Sequence, residues 1–229
     1  MKITWLGQAG FLFETEDMKI LVDPYLSDSA AKINPANRRR VPPDESFFAI
    51  KPDVIVLTHN HIDHTDPDTL KRYLGEKTGV TVLASKNAWI EARKFGGNNN
   101  YVMFNEKTVW SHKNLRFEAV YAEHSDDYAI GVIIYDGKKT YYITGDTLYN
   151  EKIFADLPQS IDWLFLPVNG AGNNMNFRDA ERFAKRVGAK STVPMHFGLF
   201  DSLNPSDFIC DNRVIPVIYK EIEEGAVIK

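Results

Sequence analysis

The sequence predicts an α/β fold in which β-sheets are covered by helices. Two observations support this prediction. Short apolar runs bounded by glycine, proline or charged residues recur along the whole chain, which is typical of β-strands. In both halves of the chain these runs alternate with segments of helical character, and no linker separates the halves. We therefore expect residues 1–229 to form one domain whose sheets bury a face against helices.

The apolar runs locate the individual strands. The predicted strands are Ile3–Leu6, Phe11–Glu14, Ile20–Val22, Asp53–Leu57, Val80–Ala84, Tyr101–Phe104, Leu115–Ala122, Ala129–Tyr135, Thr140–Thr144, Trp163–Val168, Ser191–Met195 and Val214–Tyr219. Asp136-Gly137 is a tight-turn dipeptide and predicts a hairpin.

Helical patterns separate several of these strands. The predicted helices are Pro67–Tyr73, Lys86–Phe95, Glu151–Asp156, Phe177–Val187 with Asn176 as its N-cap, and a short one from Pro205. The segment Ser27–Asp44 is rich in Ser, Asn, Pro and Arg and has no periodicity, so we expect a long loop there. Loops of this length inside a compact domain are often functional.

The composition excludes several classes of protein. Hydrophobic residues make up 44% and charged residues 25%, as in an ordinary globular domain. The formal net charge of −4 argues against a nucleic-acid partner. The single cysteine, Cys210, excludes an internal disulfide framework and indicates a reducing compartment. No signal peptide and no transmembrane run is recognisable, so we expect a cytoplasmic protein with a small-molecule substrate and no membrane contact. A homo-oligomer is left open.

A histidine cluster directly follows the predicted strand Asp53–Leu57. Three of the chain's six histidines, His59, His61 and His64, lie with Asp63 within six positions. Imidazole and carboxylate groups are good ligands for Zn, Mn, Fe and Ni. A chain of this length is stable without a structural metal, so a metal here is expected to serve chemistry. The competing interpretation is a surface loop that is histidine-rich by chance, and this concentration of histidines argues against it.

The spacing His-x-His-x-Asp-His after a hydrophobic strand resembles the signature of the metallo-β-lactamase superfamily. In that superfamily, later strand ends supply further ligands in a fixed order. This chain has matching residues in that order, each after a predicted strand: His124, Asp146 in a Gly-Asp pair, and His196. The resemblance extends from Trp5 to about Phe197, and it implies a four-layer αββα sandwich.

The resemblance also implies a pair of divalent metal ions. One would be held by His59, His61 and His124, the other by Asp63, His64 and His196, and Asp146 would bridge them. A site of nitrogen and oxygen donors suits Zn²⁺ or Mn²⁺, and also accepts Fe²⁺ or Ni²⁺. The pair would carry a bridging hydroxide that attacks a carbonyl carbon or a phosphorus atom, with Asp63 as a catalytic residue. Asp23 matches an early aspartate of the superfamily that orients the metal-binding imidazoles, although a turn aspartate is the alternative.

Three segments resemble one branch of the superfamily, that of the L-ascorbate-6-phosphate lactonase-like hydrolases: the opening WLGQAGFLFE, the ILVDPYLSD segment and the Asn-Pro loop. This implies hydrolysis of an ester, lactone or phosphoester bond in a small anionic metabolite. Arg38, Arg39 and Arg40 would then hold the anionic end of the substrate, and the alternative is a solvated basic loop. Two other functions stay open: a non-catalytic metal-binding or scaffold module, and a phosphodiesterase that acts on nucleotides.

Overall fold

The computed structural model describes residues 1–75 and 79–223, and residues 76–78 and 224–229 lie outside the described part. The described residues form two six-stranded sheets, each built from one continuous half of the chain. The first sheet contains, in spatial order, β1 (Lys2–Gly7), β2 (Gly10–Glu14), β3 (Lys19–Val22), β4 (Val54–Leu57), β5 (Thr81–Ala84) and β6 (Asn100–Met103). The second sheet contains β7 (Val109–His112), β8 (Leu115–Tyr121), β9 (Ile130–Tyr135), β10 (Thr140–Ile143), β11 (Trp163–Pro167) and β12 (Ser191–Met195).

Four α-helices accompany the sheets within residues 1–75 and 79–223. They are α1 (Ser29–Ile33), α2 (Pro67–Leu70), which continues as a π-helical turn over Lys71–Gly75, α3 (Lys86–Ala92) and α4 (Phe177–Val187). Short 3₁₀ helices cover Pro35–Asn37, Glu45–Ala49, Arg93–Phe95, Glu151–Asp156 and Pro205–Asp207. Within residues 1–75 and 79–223, no helix is long and apolar enough to cross a membrane.

The direction of the strands places their carboxyl ends at a common edge. In the first sheet β1, β2 and β3 are antiparallel, and β3 to β6 are parallel. In the second sheet β7 to β10 are antiparallel, and β10 to β12 are parallel. Because β8 and β10 are both antiparallel to β9, they run in the same direction. The carboxyl ends of β8, β10, β11 and β12 therefore lie at one edge of the second sheet.

The sandwich is held together by side chains between the sheets. Phe11 and Phe13 of β2 meet Phe165 of β11, with ring centroids 4.8 and 5.7 Å apart. The residue between them, Leu12, belongs to a different cluster on the outer face, which helices α2 and α3 cover. Successive strand residues point to opposite faces, so a strand in the middle of a four-layer fold is apolar on both. The predicted αββα sandwich is thus confirmed.

The structure differs from the sequence-based expectation in three segments. Val109–His112 was not predicted as a strand, because it is a short, largely exposed edge strand without an apolar run, and it pairs with β8 alone. Val214–Tyr219 is not a strand, and Pro216 within it lacks the N–H that a sheet ladder needs. The predicted loop Ser27–Asp44 contains helix α1 and a 3₁₀ turn. The other predicted strands and helices agree within a few residues, including the Asn176 cap, whose side chain accepts from the Asp179 N–H.

Replacing Phe165 with alanine should test the packing between the sheets. Loss of a buried phenylalanine side chain leaves a cavity and costs about 3–5 kcal/mol of unfolding free energy. Urea denaturation followed by circular dichroism measures this loss. Tyr135→Ala is the control, because Tyr135 is 42% exposed on β9 and should cost much less. Equal losses in the two variants would contradict this account of the core.

Candidate metal centre

All seven predicted ligands lie at the edge where the strands end. Each follows the carboxyl end of a strand: His59, His61, Asp63 and His64 after β4, His124 after β8, Asp146 after β10 and His196 after β12. The backbone permits this approach at the Gly-Asp pair. Gly145 has a φ of +61°, and a Cβ atom there would lie 2.8 Å from the Ile130 carbonyl oxygen and 3.0 Å from Thr58 Cβ. Only glycine allows the Asp146 turn to come so close to the histidine segment.

The first group of ligand atoms belongs to His59, His61, His124 and Asp146. These atoms all lie within 4.8 Å of one another. The three imidazole rings form a triangle with centroid separations of 4.7, 4.5 and 4.7 Å. Nε2 of His59 is buried and has no hydrogen-bond partner. The group therefore presents nitrogen atoms toward one point, as a cation site requires.

The second group of ligand atoms belongs to Asp63, His64 and His196. Nε2 of His196 lies 3.3 Å from Asp63 Oδ2 and 3.4 Å from His64 Nε2. Asp146 lies between the two groups. Its Oδ1 is 3.2 Å from His64 Nε2, while its Oδ2 is 3.1 Å from His196 Nε2 and 3.9 Å from His59 Nε2. A ligand shared by both groups would occupy this position.

Asp23 lies beneath the histidine segment and is fully buried. Its Oδ1 accepts the Thr58 N–H at 2.8 Å, and its Oδ2 accepts the Thr58 hydroxyl at 2.6 Å. Oδ2 also lies 2.8 Å from Nδ1 of His64. The carboxylate thus favours a proton on Nδ1 and leaves Nε2 of His64 free to bind a cation.

Two further residues that the sequence did not reveal contact the candidate ligands. Asn174 donates from Nδ2 to Asp146 Oδ2 at 2.8 Å and accepts the Thr147 N–H at 3.1 Å. Asp126 accepts the Asn60 N–H at 3.1 Å, while its own N–H donates to Nδ1 of His124 at 3.2 Å. The only signal in the sequence that could have marked Asp126 as part of the site is its place two positions after His124. Nothing in the sequence marks Asn174.

The buried charges of the second group and of Asp146 stabilise one another. Burial alone would lower the pKa of His64, but the carboxylates of Asp146, Asp63 and Asp23 outweigh it and hold that pKa well above its usual value. The pKa of His196 is raised to about 10 despite burial, because Asp146 and Asp63 face it. Burial works against ionised Asp146, yet His196 and His64 hold its pKa well below its usual range.

In the first ligand group, the pKa values of His59 and His124 are lowered instead of raised. Burial lowers the pKa of His59 well below its ordinary value, and neighbouring His64 adds to this effect. Burial also lowers the pKa of His124. Neutral imidazoles are the form that binds metal. His59 and His124 are therefore already suited to a cation, whereas His64 and His196 must first release protons.

A divalent cation fits the residues present. His59 Nε2 is buried without a hydrogen-bond partner, and a buried polar atom in that state costs about 1–3 kcal/mol, while Asp146 Oδ1 has only the ion-pair contact with His64 at 3.2 Å. Both atoms face the two groups of candidate ligands, and all the ligand atoms are nitrogen or oxygen. A bound cation would satisfy these atoms and balance the carboxylates.

The three arginines of the Ser27–Asp44 segment have different environments. Arg39 is 8% exposed, and its guanidinium donates to the carbonyl oxygens of Tyr25, Ser27 and Val41 and to the Tyr219 hydroxyl. The interpretation that Arg39 holds a substrate does not fit this geometry, because its N–H groups bind the chain itself. Arg38 is exposed and lies 3.5 Å from Asp28, and Arg40 is exposed. For these two arginines the substrate contact stays a prediction.

Comparisons with known proteins agree with the fold and the cluster. Residues 18–197 match the β-lactamase superfamily domain. A UPF0173 metal-dependent hydrolase of Carboxydothermus hydrogenoformans is 30% identical, with 100% of this chain and 99% of that protein covered. A UPF0173 metal-dependent hydrolase of Ligilactobacillus salivarius is also 30% identical, with 87% and 86% covered. Igni18, a metallo hydrolase from Ignicoccus hospitalis, superimposes with a TM-score of 0.76 at 19% identity, with 96% and 97% covered.

The fold and the histidine–aspartate cluster together define a protein of the metallo-β-lactamase superfamily. Within it, the identity along the full length shows that the chain belongs to the UPF0173 metal-dependent hydrolases.

Replacing Asp23 with alanine should weaken metal binding while the ligands themselves remain. Without the carboxylate, the tautomer and orientation of His64 are no longer fixed, and such losses typically cost about 10–100-fold in metal affinity. Competition with a chromophoric chelator measures the affinity. Asp17→Ala, a change at an exposed aspartate, is the control. An affinity equal to that of the unmodified protein would contradict the orienting role.

Proposed function

We propose that this metal-dependent hydrolase holds two divalent cations and cleaves an ester, lactone or phosphoester bond of a small anionic metabolite. The observation that carries the proposal is the pair of ligand groups that meet at the single carboxylate of Asp146. His59, His61 and His124 would hold one cation, and Asp63, His64 and His196 the other. Zn²⁺ and Mn²⁺ suit these donors best, and Fe²⁺ or Ni²⁺ are the alternatives. When bound, the cations supply a water-derived nucleophile at neutral pH and polarise the scissile group.

Asp63 is the carboxylate of the centre that is best placed to act on a reacting water. Its side chain is 15% exposed, compared with 3% for Asp146 and 0% for Asp23. Burial opposes its ionisation, but His64 and His196 lower the pKa of Asp63 well below its usual value, so it stays ionised. An ionised carboxylate on the open side can orient the attacking water through a hydrogen bond.

The substrate class is inferred from the rim of the centre. Val41, from the arginine-containing segment, and Ile62 of the histidine segment both pack against the buried cluster of Tyr25, Ala30 and Leu199. The Arg40 N–H also donates to the Leu199 carbonyl oxygen, three residues after His196. The segment thus borders the centre, and exposed Arg38 and Arg40 add positive charge there. This supports an anionic substrate, in keeping with the resemblance to the L-ascorbate-6-phosphate lactonase-like hydrolases.

Metal analysis and a hydrolase assay test the central proposal. Protein supplied with Zn²⁺ or Mn²⁺ should bind two equivalents, and affinity should rise with pH because His64 and His196 carry raised pKa values and must release protons. Asp146→Ala should lower turnover of lactone, thioester and phosphodiester substrates by orders of magnitude and leave the protein folded. Asp156→Ala, at an exposed aspartate, is the control.

The outcomes of this test separate the alternatives. A folded protein that binds no metal would overturn the proposal. Bound metal without turnover of any substrate would favour a binding or scaffold module. Turnover confined to nucleotide phosphodiesters would favour the phosphodiesterase.

Changing Arg38 or Arg40 singly to alanine should reveal an anionic substrate. Loss of one charge-assisted contact costs about 1.5–3 kcal/mol, which corresponds to roughly ten- to a hundredfold in kcat/KM. The loss should appear with anionic substrates and not with neutral analogues. Lys32→Ala is the matched control, because Lys32 is an exposed cation of the same segment that is paired with Asp68. Equal effects on both substrate types would indicate a solvated basic loop.

A further inference from the structure

Gln8 is a buried polar residue that contacts two candidate ligands, Asp63 and His196. It follows β1, is 1% exposed and has a φ of +51°. A non-glycine residue in this left-handed conformation is uncommon, and its cost is tolerated where surrounding contacts require it. The main-chain oxygen of Gln8 accepts two hydrogen bonds, from Trp5 Nε1 at 3.0 Å and from the His196 N–H at 2.9 Å.

The hydrogen bond from the His196 N–H links Gln8 directly to a candidate ligand. His196 also has a left-handed backbone, with a φ of +61°. The two residues come from different sheets, Gln8 from the β1–β2 turn and His196 from the end of β12. The bond between them therefore fixes the end of β12 against the first sheet and with it the origin of the His196 side chain.

The side chain of Gln8 contacts both Asp63 and His196. Its Nε2 donates to Asp63 Oδ2 at 3.0 Å. The same Nε2 lies 3.2 Å from Nδ1 and 3.4 Å from Nε2 of the His196 ring. Near-equal distances to both ring nitrogens place the amide over the face of the imidazole, not along a nitrogen lone pair. Gln8 thus does not occupy the direction from which a cation would approach His196.

The Asp63 oxygen that accepts from Gln8, Oδ2, also faces the two imidazoles of the second ligand group. Asp63 Oδ2 lies 3.3 Å from His196 Nε2 and 3.9 Å from His64 Nε2. A carboxylate has several rotamers of similar energy unless a hydrogen bond selects one. The donor N–H of Gln8 selects the rotamer in which Oδ2 points toward the two imidazoles.

We infer that Gln8 is a positioning residue of the metal centre, which holds His196 through its main chain and Asp63 through its side chain. This inference rests on the proposed function, because it requires that Asp63, His64 and His196 bind a cation. Gln8 contacts the second ligand group, and among the described residues no hydrogen bond joins its side chain to His59, His61 or His124. Its removal should therefore weaken one of two bound cations and leave the other unchanged.

The buried oxygen Oε1 of Gln8 indicates that this residue does more than stabilise the fold. Oε1 has no hydrogen-bond partner among the described residues. A residue kept for stability alone would not leave a buried acceptor unpaired, because such an atom is destabilising. Methionine is close to glutamine in shape and lacks the unpaired oxygen. Gln8→Met removes this destabilising oxygen together with the amide donor to Asp63, and because the two effects oppose each other the stability of the metal-free protein should stay about the same while metal binding weakens.

The experiment is a two-site Zn²⁺ titration of full-length Gln8→Met by competition with a chromophoric chelator, with urea denaturation of the metal-free protein beside it. We expect the affinity of one equivalent to fall about 10–100-fold, with the second equivalent and the denaturation midpoint unchanged. Gln159→Met, a change at an exposed glutamine, is the matched control and should leave both affinities unchanged.

Two results would overturn the inference, and they differ from failure of the proposed function. If the unmodified protein binds two equivalents and Gln8→Met binds both equally well, the side chain of Gln8 does not position Asp63 and the inference is wrong, while the proposed function stands. If the unmodified protein binds no metal, the proposed function fails and the inference fails with it. Should Gln8→Met not fold, a crystal structure of the unmodified protein with Zn²⁺ decides: the Gln8 amide must remain within hydrogen-bond distance of Asp63, and separation from it overturns the role.

Discussion

The buried carboxylate of Asp146 is the group on which the geometry of the centre depends. Removal of a carboxylate from water costs on the order of several kcal/mol unless partners compensate for it. His64 and His196 lie 3.2 and 3.1 Å from its two oxygens, and they come from different sheets. The carboxyl ends of β4, β10 and β12 must therefore meet at one edge. The face-to-face sandwich satisfies this requirement, so fold and site depend on the same arrangement of strands.

Around this carboxylate, several candidate ligands have a second contact that limits their freedom. The pairs are His64 with Asp23, Asp146 with Asn174, His124 with the main chain of Asp126, and Asp63 with Gln8. Such contacts fix rotamers and tautomers before a cation binds, so less conformational entropy is lost on binding. The ligands are also on the ends of buried strands, whose backbones are held by the sheet. The centre is preorganised by both effects.

The segment that carries the arginines illustrates how one run of identical residues acquires different roles. Arg39 is turned inward, where it binds the main-chain oxygens of Tyr25, Ser27 and Val41 and the Tyr219 hydroxyl. Its neighbours Arg38 and Arg40 are exposed. The inward arginine ties its segment to Tyr25 and Tyr219. Identical side chains of one run thus differ in burial, because Arg39 is enclosed while Arg38 and Arg40 are in solvent.

The amino-acid sequence by itself determined most strands and the helix α4 with its Asn176 cap, and the spacing His-x-His-x-Asp-His indicated four candidate ligands. These features are visible within a few residues of the chain. The candidates His124, Asp146 and His196 are scattered along the chain and were predicted from the resemblance to the superfamily. The sequence could not place Gln8 or Asn174 at the centre, nor separate Arg39 from Arg38 and Arg40. Those roles depend on hydrogen bonds between residues far apart in the chain, such as Gln8 with Asp63 and Arg39 with Tyr219. Only the tertiary structure decided them, because a hydrogen bond is set by distance and direction in space.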